Sequence, residues 1–350
     1  MTDKIAVSLF DRLGKCEKPI YIYGMGNGAE KLKRELDDAN IPLAGIFASD
    51  EFVRGHSFLG HKVIKYSELP KDAVILLAFG SFLPDMLQRF DMMAAEHEFY
   101  APDLPLFGEQ RFDMSVLANR REEIKKAYSL LYDEQSRLVF QNTAFHKITG
   151  DISLLRRMET DKSEIYTELL KVTGSEDYLD LGAYDGDTVR ELLSFTGGSF
   201  KSITAVEPDP KNFKKLVNKT PQAVCINKGV YSFCGELSFS TEASRNSSVS
   251  EAGKRKIEVD TIDNIVGEGN VSYIKMDVEG SEKEALLGAV KTLDRCRPRL
   301  LVSAYHRMWD FFELVNLMGE LLPDYRLYMR HQPYVPNWET NIIAVPEEKA

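Results

Sequence analysis

The sequence predicts an α/β protein in which a small sheet unit precedes a doubly wound sheet of seven strands with an antiparallel last strand. Two short apolar runs each lead into a glycine-rich turn and a helical segment, at residues 19–39 and 178–193. Apolar runs and helical segments go on alternating after the second turn. Such alternation is typical of parallel sheets with helices on both faces. A short connection at 333–337 indicates that the last two strands form an antiparallel hairpin.

The composition narrows the classes of protein to consider. The 350 residues suffice for two domains, and 43% hydrophobic residues can fill their cores. The formal net charge of −10 gives no long-range attraction for phosphate backbones, so we expect no nucleic acid partner. The four cysteines form no CxxC pair, which argues against a disulfide framework or a zinc site. Because no apolar run approaches the about 18 residues of a membrane span and no signal peptide is evident, we expect a cytoplasmic protein without a membrane partner.

Residues 1–110 are predicted to form a small Rossmann-like domain. An apolar run at 19–23 enters the turn Gly24-Met-Gly26-Asn-Gly28, and buried strands are expected at 43–48 and 73–79. The G-x-G-x-G spacing departs from the G-x-G-x-x-G loop that holds dinucleotides. Two interpretations stay open: a unit that binds a nucleotide or a nucleotide sugar, and an appendage that is either structural or the means by which two copies of the chain dimerise.

Residues 111–173 are charged, poor in glycine and proline, and predicted to form two or three linking helices. Residues 174–350 are predicted to form the main domain. Its expected strands are 178–181, 202–206, 223–229, 272–276, 299–304, 325–328 and 341–345. Its expected helices are 186–193, 210–216, 281–287 and 309–321. A ribbon is expected from 236–240 and 256–259, and the polar loop 241–254 is expected either to border the ligands or to be solvated.

The second glycine-rich turn carries carboxylates beside its glycines. Gly182 and Gly186 let the backbone turn sharply and approach a ligand, whereas Asp180, Asp185 and Asp187 would repel a pyrophosphate. These acids suit a ligand with a sulfonium and an ammonium group, so the turn predicts S-adenosylmethionine rather than NAD. The alternative is that the acids only cap the helix and shape the turn.

Glu207 ends the next predicted strand, where a carboxylate can accept hydrogen bonds from both hydroxyls of a ribose. It completes the set of residues that we expect to bind the cofactor. This set consists of Asp180, Gly182, Tyr184, Asp185, Gly186, Asp187, Glu207, Pro208 and Asp277.

A second group of polar side chains ends the strands that follow. Asp277 and Glu279 come after the strand 272–276, and His306 comes after the next strand. Because the carboxyl ends of parallel strands face the ligand crevice, the predicted catalytic residues are His306, Asp277 and Glu279. His306 is the preferred proton acceptor, since its ordinary pKa is close to neutral pH, and Asp277 is the second choice. Two options stay open: a divalent metal bound by all three residues, and acids that merely cap the next helix.

The segment from about residue 131 to 345 resembles the FkbM-type methyltransferases. The resemblance rests on residues 180–188, 207–208 and 274–280 with its following helix, and on the strand ends 305–306 and 330–331. It implies a class I methyltransferase fold and O-methylation of sugars or polyketide-like products with S-adenosylmethionine. It also implies that Asp180, Gly182, Asp185 and Glu207 contact the cofactor and that Asp277, Glu279 and His306 lie near the acceptor.

The expected function is therefore S-adenosylmethionine-dependent O-methylation of a hydroxyl on a saccharide or a related small molecule. Two alternatives stay open. One is an NAD-dependent oxidoreductase that uses one of the glycine-rich turns. The other is a non-enzymatic, nucleotide-binding scaffold with a degenerate methyltransferase domain.

Overall fold

The computed structural model describes residues 7–106, 110–239 and 255–347. It shows an α/β fold with mixed sheets, so the predicted α/β class is confirmed. The loop 241–254, which we expected either to border the ligands or to be solvated, lies outside the described residues. Within the described part of the chain, no helix is both long enough and apolar enough to cross a membrane.

The N-terminal unit is built on a six-stranded sheet. Its strands are β1 (Ile20–Tyr23), β2 (Gly45–Ala48), β3 (Ser57–Phe58), β4 (His61–Lys65), β5 (Val74–Leu77) and β6 (Glu98–Tyr100). Its helices are α1 (Leu9–Leu13), α2 (Asn27–Asp38) and α3 (Pro84–Glu96), with 3₁₀ turns at Asp50–Phe52 and Tyr66–Glu68. The order is β3-β4-β2-β1-β5-β6, parallel except for the β3–β4 pair. The sequence missed β3, β4 and β6 because they are short and partly exposed.

Four helices and a π-helix follow the N-terminal sheet. They are α4 (Met114–Asn119), α5 (Arg121–Leu130), α6 (Glu134–Thr149), α7 (Ile152–Arg156) and the π-helix Glu164–Leu169. The carboxylate of Asp133 caps α6 by accepting the amide N–H of Ser136 (2.8 Å), and Gly150 ends it with φ +65°. Because of such helix ends, the segment contains more helices than the two or three that the sequence predicted.

The C-terminal part is built on a seven-stranded sheet and a three-stranded ribbon. The main strands are β7 (Asp177–Leu181), β8 (Ser202–Val206), β9 (Val224–Ile226), β13 (Tyr273–Met276), β14 (Arg299–Ser303), β15 (Tyr325–His331) and β16 (Thr340–Pro346); the ribbon strands are β10 (Gly229–Val230), β11 (Gly235–Phe239) and β12 (Arg255–Asp260). The helices are α8 (Asp187–Phe195), α9 (Pro210–Lys219), α10 (Ile262–Val266), α11 (Glu282–Leu287), α12 (Val290–Cys296) and α13 (Asp310–Leu321).

The strand order of the large sheet is β15-β16-β14-β13-β7-β8-β9. Strand β16 lies antiparallel between β14 and β15, and the other neighbours are parallel. All five residues of β7 are buried, as expected for a central parallel strand covered on both faces. Every strand and helix predicted after residue 174 has a counterpart here, whereas α10 and α12 were not predicted.

In the part of the chain that the structure describes, one of the three clusters of buried hydrophobic side chains extends across both sheets. A single cluster of buried side chains includes Tyr23 and Phe90 from the N-terminal unit, Phe140 from α6, and Met276 and Phe311 from the C-terminal part. The division into domains 1–110, 111–173 and 174–350 stays a prediction.

The loop after β5 is also tied to the loop between β15 and β16. The backbone of Ser81 pairs with that of Val335 through two hydrogen bonds (2.8 and 3.1 Å). Gly80 lies so close to the rings of Tyr334 and Trp338 that a Cβ there would be 2.6–2.8 Å from them. The loop of the C-terminal hairpin is therefore hydrogen-bonded, backbone to backbone, to the N-terminal unit.

Two buried histidines are His146 in α6 and His331 at the end of β15. Neither ring nitrogen of His146 has a hydrogen-bond partner among the described residues, and burial lowers its pKa to about 3. The ring of His331 lies within hydrogen-bond distance of the Thr340 hydroxyl and the Tyr334 carbonyl, and burial lowers its pKa to about 3 as well. Both imidazoles are neutral at physiological pH, and both ring nitrogens of His331 are engaged by groups inside the protein.

We expect acid to destabilise the protein through these two imidazoles. Their folded-state pKa of about 3 lies below the ordinary 6.5, so the unfolded chain binds more protons as the pH falls through 6.5. Between pH 7.5 and pH 5 each of these two imidazoles should lower the free energy of unfolding by about 2 kcal/mol, whereas buried groups with a raised pKa, such as Glu207 and His306, change it in the opposite direction. Urea titrations at both pH values measure the net change, and in His146→Leu this change should be about 2 kcal/mol more favourable to the folded state than in the wild type. The control His56→Gln, at an exposed histidine, should keep the wild-type change; equal changes in all three proteins would contradict the interpretation.

Candidate active site

Four neighbouring parallel strands, β8, β7, β13 and β14, end at the same edge of the large sheet. The loops that follow them are joined by backbone hydrogen bonds. The amides of Gly182 and Ala183 donate to the carbonyl of Val206 (2.9 and 3.0 Å), and the amide of Asp277 donates to the carbonyl of Leu181 (2.9 Å). The predicted cofactor and acceptor residues are thus carried by adjacent loops.

The glycines of the second turn are required by its backbone. Gly182 has φ +78°, and a Cβ on it would lie 1.8 Å from the carbonyl oxygen of Asp277. Gly186 has φ +82° at the start of α8, where a Cβ would lie 2.3 Å from a methyl carbon of Thr220. Between them, the exposed Tyr184 also has a positive φ, and its amide donates to the Glu207 carboxylate (2.9 Å). The backbone of this turn is therefore in close contact with the loop after β13 and with the loop after β8.

Glu207 is buried at the end of β8. One carboxylate oxygen accepts the amide N–H of Tyr184 (2.9 Å), and the other accepts that of Asp209 (2.8 Å). Burial raises the pKa of Glu207 to about 7, although these two hydrogen bonds oppose the rise. The backbone carbonyls of Glu207 and Pro208 both accept from the side-chain amide of Asn227 (2.8 and 3.2 Å), which fixes the strand end.

Asp180 lies fully buried in β7. The Thr188 hydroxyl donates to its Oδ2, whereas its Oδ1 accepts no hydrogen bond from the described residues. The ammonium group of Lys275, also buried, is 3.9 Å from Oδ1. Burial raises the pKa of Asp180 to about 6, although the positive charge of Lys275 works against it. The buried Oδ1 thus keeps lone pairs that no hydrogen bond from the described residues satisfies.

The other two acids of the turn are engaged elsewhere. Asp185 forms ion pairs with Arg190 (3.0 Å) and with Lys219 from α9. Burial opposes ionisation of Asp185, but the hydrogen bonds from Lys219 and Arg190 outweigh it and lower its pKa. Asp187 is exposed and accepts the amide N–H of Thr188 (2.9 Å). Of the three acids expected to repel a pyrophosphate, Asp180 alone is buried, and the capping alternative describes Asp187 better.

On the acceptor side, three carboxylates surround the imidazole of His306. Its Nε2 is 3.3 Å from Asp277 Oδ1 and 3.5 Å from Glu279 Oε2, and its Nδ1 is 2.8 Å from Glu282 Oε1. Burial favours the neutral ring, but Glu282 foremost and the other two acids raise the pKa of His306 to about 10. His306 is therefore a cation at neutral pH, which conflicts with its predicted role as a proton acceptor.

Asp277 carries the opposite charge. Its carboxylate lies 3.6 Å from the Lys275 ammonium group and 3.4 Å from the Tyr305 hydroxyl, which donates to it. Burial opposes ionisation, but the positive charges of Lys275 and His306 outweigh it and keep the pKa of Asp277 below its ordinary value. Asp277 is therefore ionised at the edge of the sheet, with a partly exposed side chain.

The first glycine-rich turn, in the N-terminal unit, is accounted for by packing. A Cβ on Gly24 would lie 2.7 Å from the ring of Phe79, and a Cβ on Gly28 would lie 2.0 Å from the carbonyl oxygen of Ala78. Gly24 thus makes room for an aromatic ring of the next strand end, and Gly28 lets α2 approach β5. This arrangement favours the interpretation of the unit as structural.

Comparison with known proteins finds a family match in the C-terminal part. Residues 180–336 match the sequence model of the family described as Methyltransferase FkbM domain. This segment is therefore similar in sequence to FkbM methyltransferase domains. It includes every predicted cofactor-binding and catalytic residue.

The fold is similar to that of a solved methyltransferase structure. The methyltransferase FkbM from Methylobacillus flagellatus KT aligns with 97% of this chain and 94% of its own length, at 21% identity and a TM-score of 0.70. Fibrillarin from Aeropyrum pernix, solved with natively bound S-adenosyl-L-methionine, aligns with 52% of this chain and 73% of its own, at 14% identity and a TM-score of 0.33. An rRNA methylase from Streptococcus thermophilus aligns with 52% of this chain and 92% of its own length, at 14% identity and a TM-score of 0.33. No curated protein matches the chain.

The matched segment contains two site residues that the sequence reasoning missed, Lys275 and Glu282. Lys275 stands between apolar neighbours in β13, and a charge inside a buried strand is a signal that could have marked it. Glu282 resembles an ordinary acid in the first turn of a helix, so its contact with His306 needs the fold to be seen.

The metal site predicted from Asp277, Glu279 and His306 is not supported as a set. Among the described residues, one ligand atom each of Asp277, Glu282 and His306 lie within 4.8 Å of one another. Glu282 thus stands in this group where the sequence predicted Glu279.

Replacing Gly182 tests whether the close approach of the two loops holds the site together. Gly182→Ala should lower the free energy of unfolding by about 3 kcal/mol, from the left-handed backbone and from overpacking against Asp277. Gly197→Ala is the matched control, since Gly197 has φ +63° but open space around its Cβ position, and should lose about 1 kcal/mol. Urea denaturation measures both. Equal losses would show that the close contact with Asp277 adds nothing to the loss in the free energy of unfolding.

Proposed function

We propose that the chain is an S-adenosylmethionine-dependent O-methyltransferase that acts on a hydroxyl of a saccharide or a related small molecule. The observation that carries the proposal is the set of acids Asp180, Glu207 and Asp277, which lie within one residue of the carboxyl ends of three adjacent parallel strands. Their negative charge favours a cationic ligand that bears hydroxyl groups over one that bears a pyrophosphate.

The residues present fit such a cofactor. The buried Oδ1 of Asp180 would accept a hydrogen bond from its ammonium group, because this oxygen has no hydrogen-bond donor among the described residues. Glu207 would accept hydrogen bonds from the ribose hydroxyls, and Gly182 keeps side-chain atoms away from the backbone of the turn. The exposed ring of Tyr184 offers a flat surface beside this turn. Asp185 and Asp187 are left out of the proposed contacts because of their other pairings.

The reaction needs a methyl donor, an oriented acceptor oxygen and a group that takes its proton. S-adenosylmethionine, when bound, supplies a methyl carbon made electrophilic by the sulfonium group. We assign the proton to a carboxylate oxygen of Asp277, which is ionised and partly exposed. The hydroxyl proton becomes acidic as its oxygen gains a bond, so a carboxylate is basic enough to accept it.

His306 takes a different part from the one predicted from sequence. Its raised pKa of about 10 keeps it protonated, so it cannot accept the proton of the acceptor at neutral pH. We assign it the task of holding Asp277 in one orientation and keeping it ionised. Glu279, whose side chain is 65% exposed, is the group beside Nε2 most accessible to a polyhydroxylated acceptor.

The same proposal covers the fold and the location of the protein. The strand order with β16 antiparallel between β14 and β15 supports a class I methyltransferase fold. The parallel order β2-β1-β5 supports a Rossmann-like N-terminal domain. An NAD-dependent oxidoreductase is disfavoured, since the Gly24 turn is filled by Phe79 and the Gly182 turn is lined by acids. A cytoplasmic location and association into homo-oligomers stay predictions.

Calorimetric titration with S-adenosylhomocysteine tests the cofactor. The wild-type chain should bind it and should not bind NAD. The affinity should rise about tenfold from pH 6 to pH 8, because the ionised form of Glu207 accepts the ribose hydroxyls and its pKa is about 7. Glu207→Gln should bind at least about tenfold more weakly and lose most of this pH dependence. Glu236→Gln, at an exposed acid of the ribbon, is the control. Binding of NAD in place of S-adenosylhomocysteine would overturn the proposal.

The role of Asp277 is tested by release of S-adenosylhomocysteine from S-adenosylmethionine in the presence of a monosaccharide and methyl-glycoside panel. With any acceptor that supports turnover, Asp277→Asn should lower kcat by about 10²- to 10⁴-fold, because the proton acceptor is lost. The same variant should still bind S-adenosylhomocysteine in the calorimeter. Wild-type turnover in Asp277→Asn would move the proton acceptor elsewhere.

A further inference from the structure

Glu282 is the first residue of α11, and its side chain is 1% exposed. A carboxylate with so little solvent around it needs partners within the protein, or it would lose its charge. Its partners come from two different strand ends. One is the loop after β13, which carries Asp277 and Glu279; the other is His306, which follows β14.

A single oxygen of Glu282 makes these contacts. Its Oε1 accepts the amide N–H of Val278 (3.0 Å) and of Gly280 (3.4 Å), and it lies 2.8 Å from Nδ1 of His306. The first two hydrogen bonds fix the backbone on both sides of Glu279, a residue with φ +52°. The third contact places the negative charge of Glu282 directly beside the imidazole. The carboxylate of Glu282 therefore links the loop after β13 to the imidazole of His306.

Holding Nδ1 leaves the other ring nitrogen facing the reaction site. Nε2 lies 3.3 Å from Asp277 Oδ1 and 3.5 Å from Glu279 Oε2. A second tie supports the same geometry, because Arg307 Nε donates to the carbonyl of Gly280 (2.6 Å) while the Arg307 amide donates to the buried Asp310 (2.7 Å). The strand end after β14 is thus fastened to the loop after β13 from both sides.

From these contacts we infer that Glu282 is a positioning residue for methyl transfer: it holds His306 so that Nε2 orients Asp277 and Glu279 toward the acceptor. The inference rests on the proposed function, in which Asp277 takes the proton. Glu282 acts through His306 and the loop, and it is separate from the cofactor contacts at Asp180 and Glu207. Its removal should therefore impair turnover without impairing cofactor binding.

The test compares Glu282→Gln with Glu284→Gln, a variant two residues further along α11 whose carboxylate accepts the Ser232 hydroxyl. Nitrogen-15 NMR of histidine-labelled protein follows the titration of the six imidazoles. In Glu282→Gln the His306 signal should titrate at least about one pH unit lower than in the wild type, because its nearest negative charge is gone. Glu284→Gln should leave it unchanged. An unchanged His306 titration in Glu282→Gln would overturn the inference.

Turnover and binding separate positioning from a general structural effect. Glu282→Gln should lower kcat about 100-fold with KM for the acceptor and affinity for S-adenosylhomocysteine within about twofold of the wild type. Equal losses of binding and turnover would overturn the inference in favour of a structural role. If Glu282→Gln does not fold, Glu282→Asp takes its place; its shortened carboxylate should give a smaller shift of the same sign in the His306 titration, and no shift would overturn the inference. Failure of the wild type to bind S-adenosylhomocysteine would instead refute the proposed function, while the NMR comparison would still judge the link between Glu282 and His306.

Discussion

A buried ammonium group, that of Lys275, lies between the cofactor side and the acceptor side of the site. Its Nζ is 3.9 Å from Asp180 Oδ1, 3.6 Å from Asp277 Oδ2 and 3.5 Å from the carbonyl oxygen of Gly182, to which it donates. Acids that are removed from water become protonated unless a positive charge is near. The two sides of the site therefore share one counter-charge, and a change of charge on one side alters the ionisation of the other.

The sequence located the site through the acids and the histidine that follow strands, because the ends of neighbouring parallel strands meet. Glu207 and Asp277 could be found in this way without knowing any side-chain contact. The partners of these residues could not be found, since they depend on distances across the fold. Lys219, which neutralises Asp185, comes from the helix after the next strand. The charge of His306 likewise depends on Glu282, whose position in the chain resembles that of an ordinary helix acid.

The two glycine-rich turns show why similar sequence patterns can differ in role. At Gly24 the space beside the backbone is taken by the ring of Phe79, a residue of the same unit. At Gly182 the backbone instead touches the neighbouring loop at Asp277, and the buried oxygen of Asp180 is left without a hydrogen bond from the described residues. Glycine permits close approach in both turns, but the side chains around each turn decide whether it packs against the protein or is available to a ligand.

The pairing of Ser81 with Val335 has a consequence for the order in which the chain matures. The ribosome completes the N-terminal sheet long before it makes the C-terminal hairpin, so the amide and carbonyl of Ser81 must wait for their partners. The core shared by Tyr23, Phe90 and Phe311 is likewise completed only by residues made late. A nascent chain that stalls before residue 335 therefore exposes apolar surface at the junction, where molecular chaperones would be expected to bind.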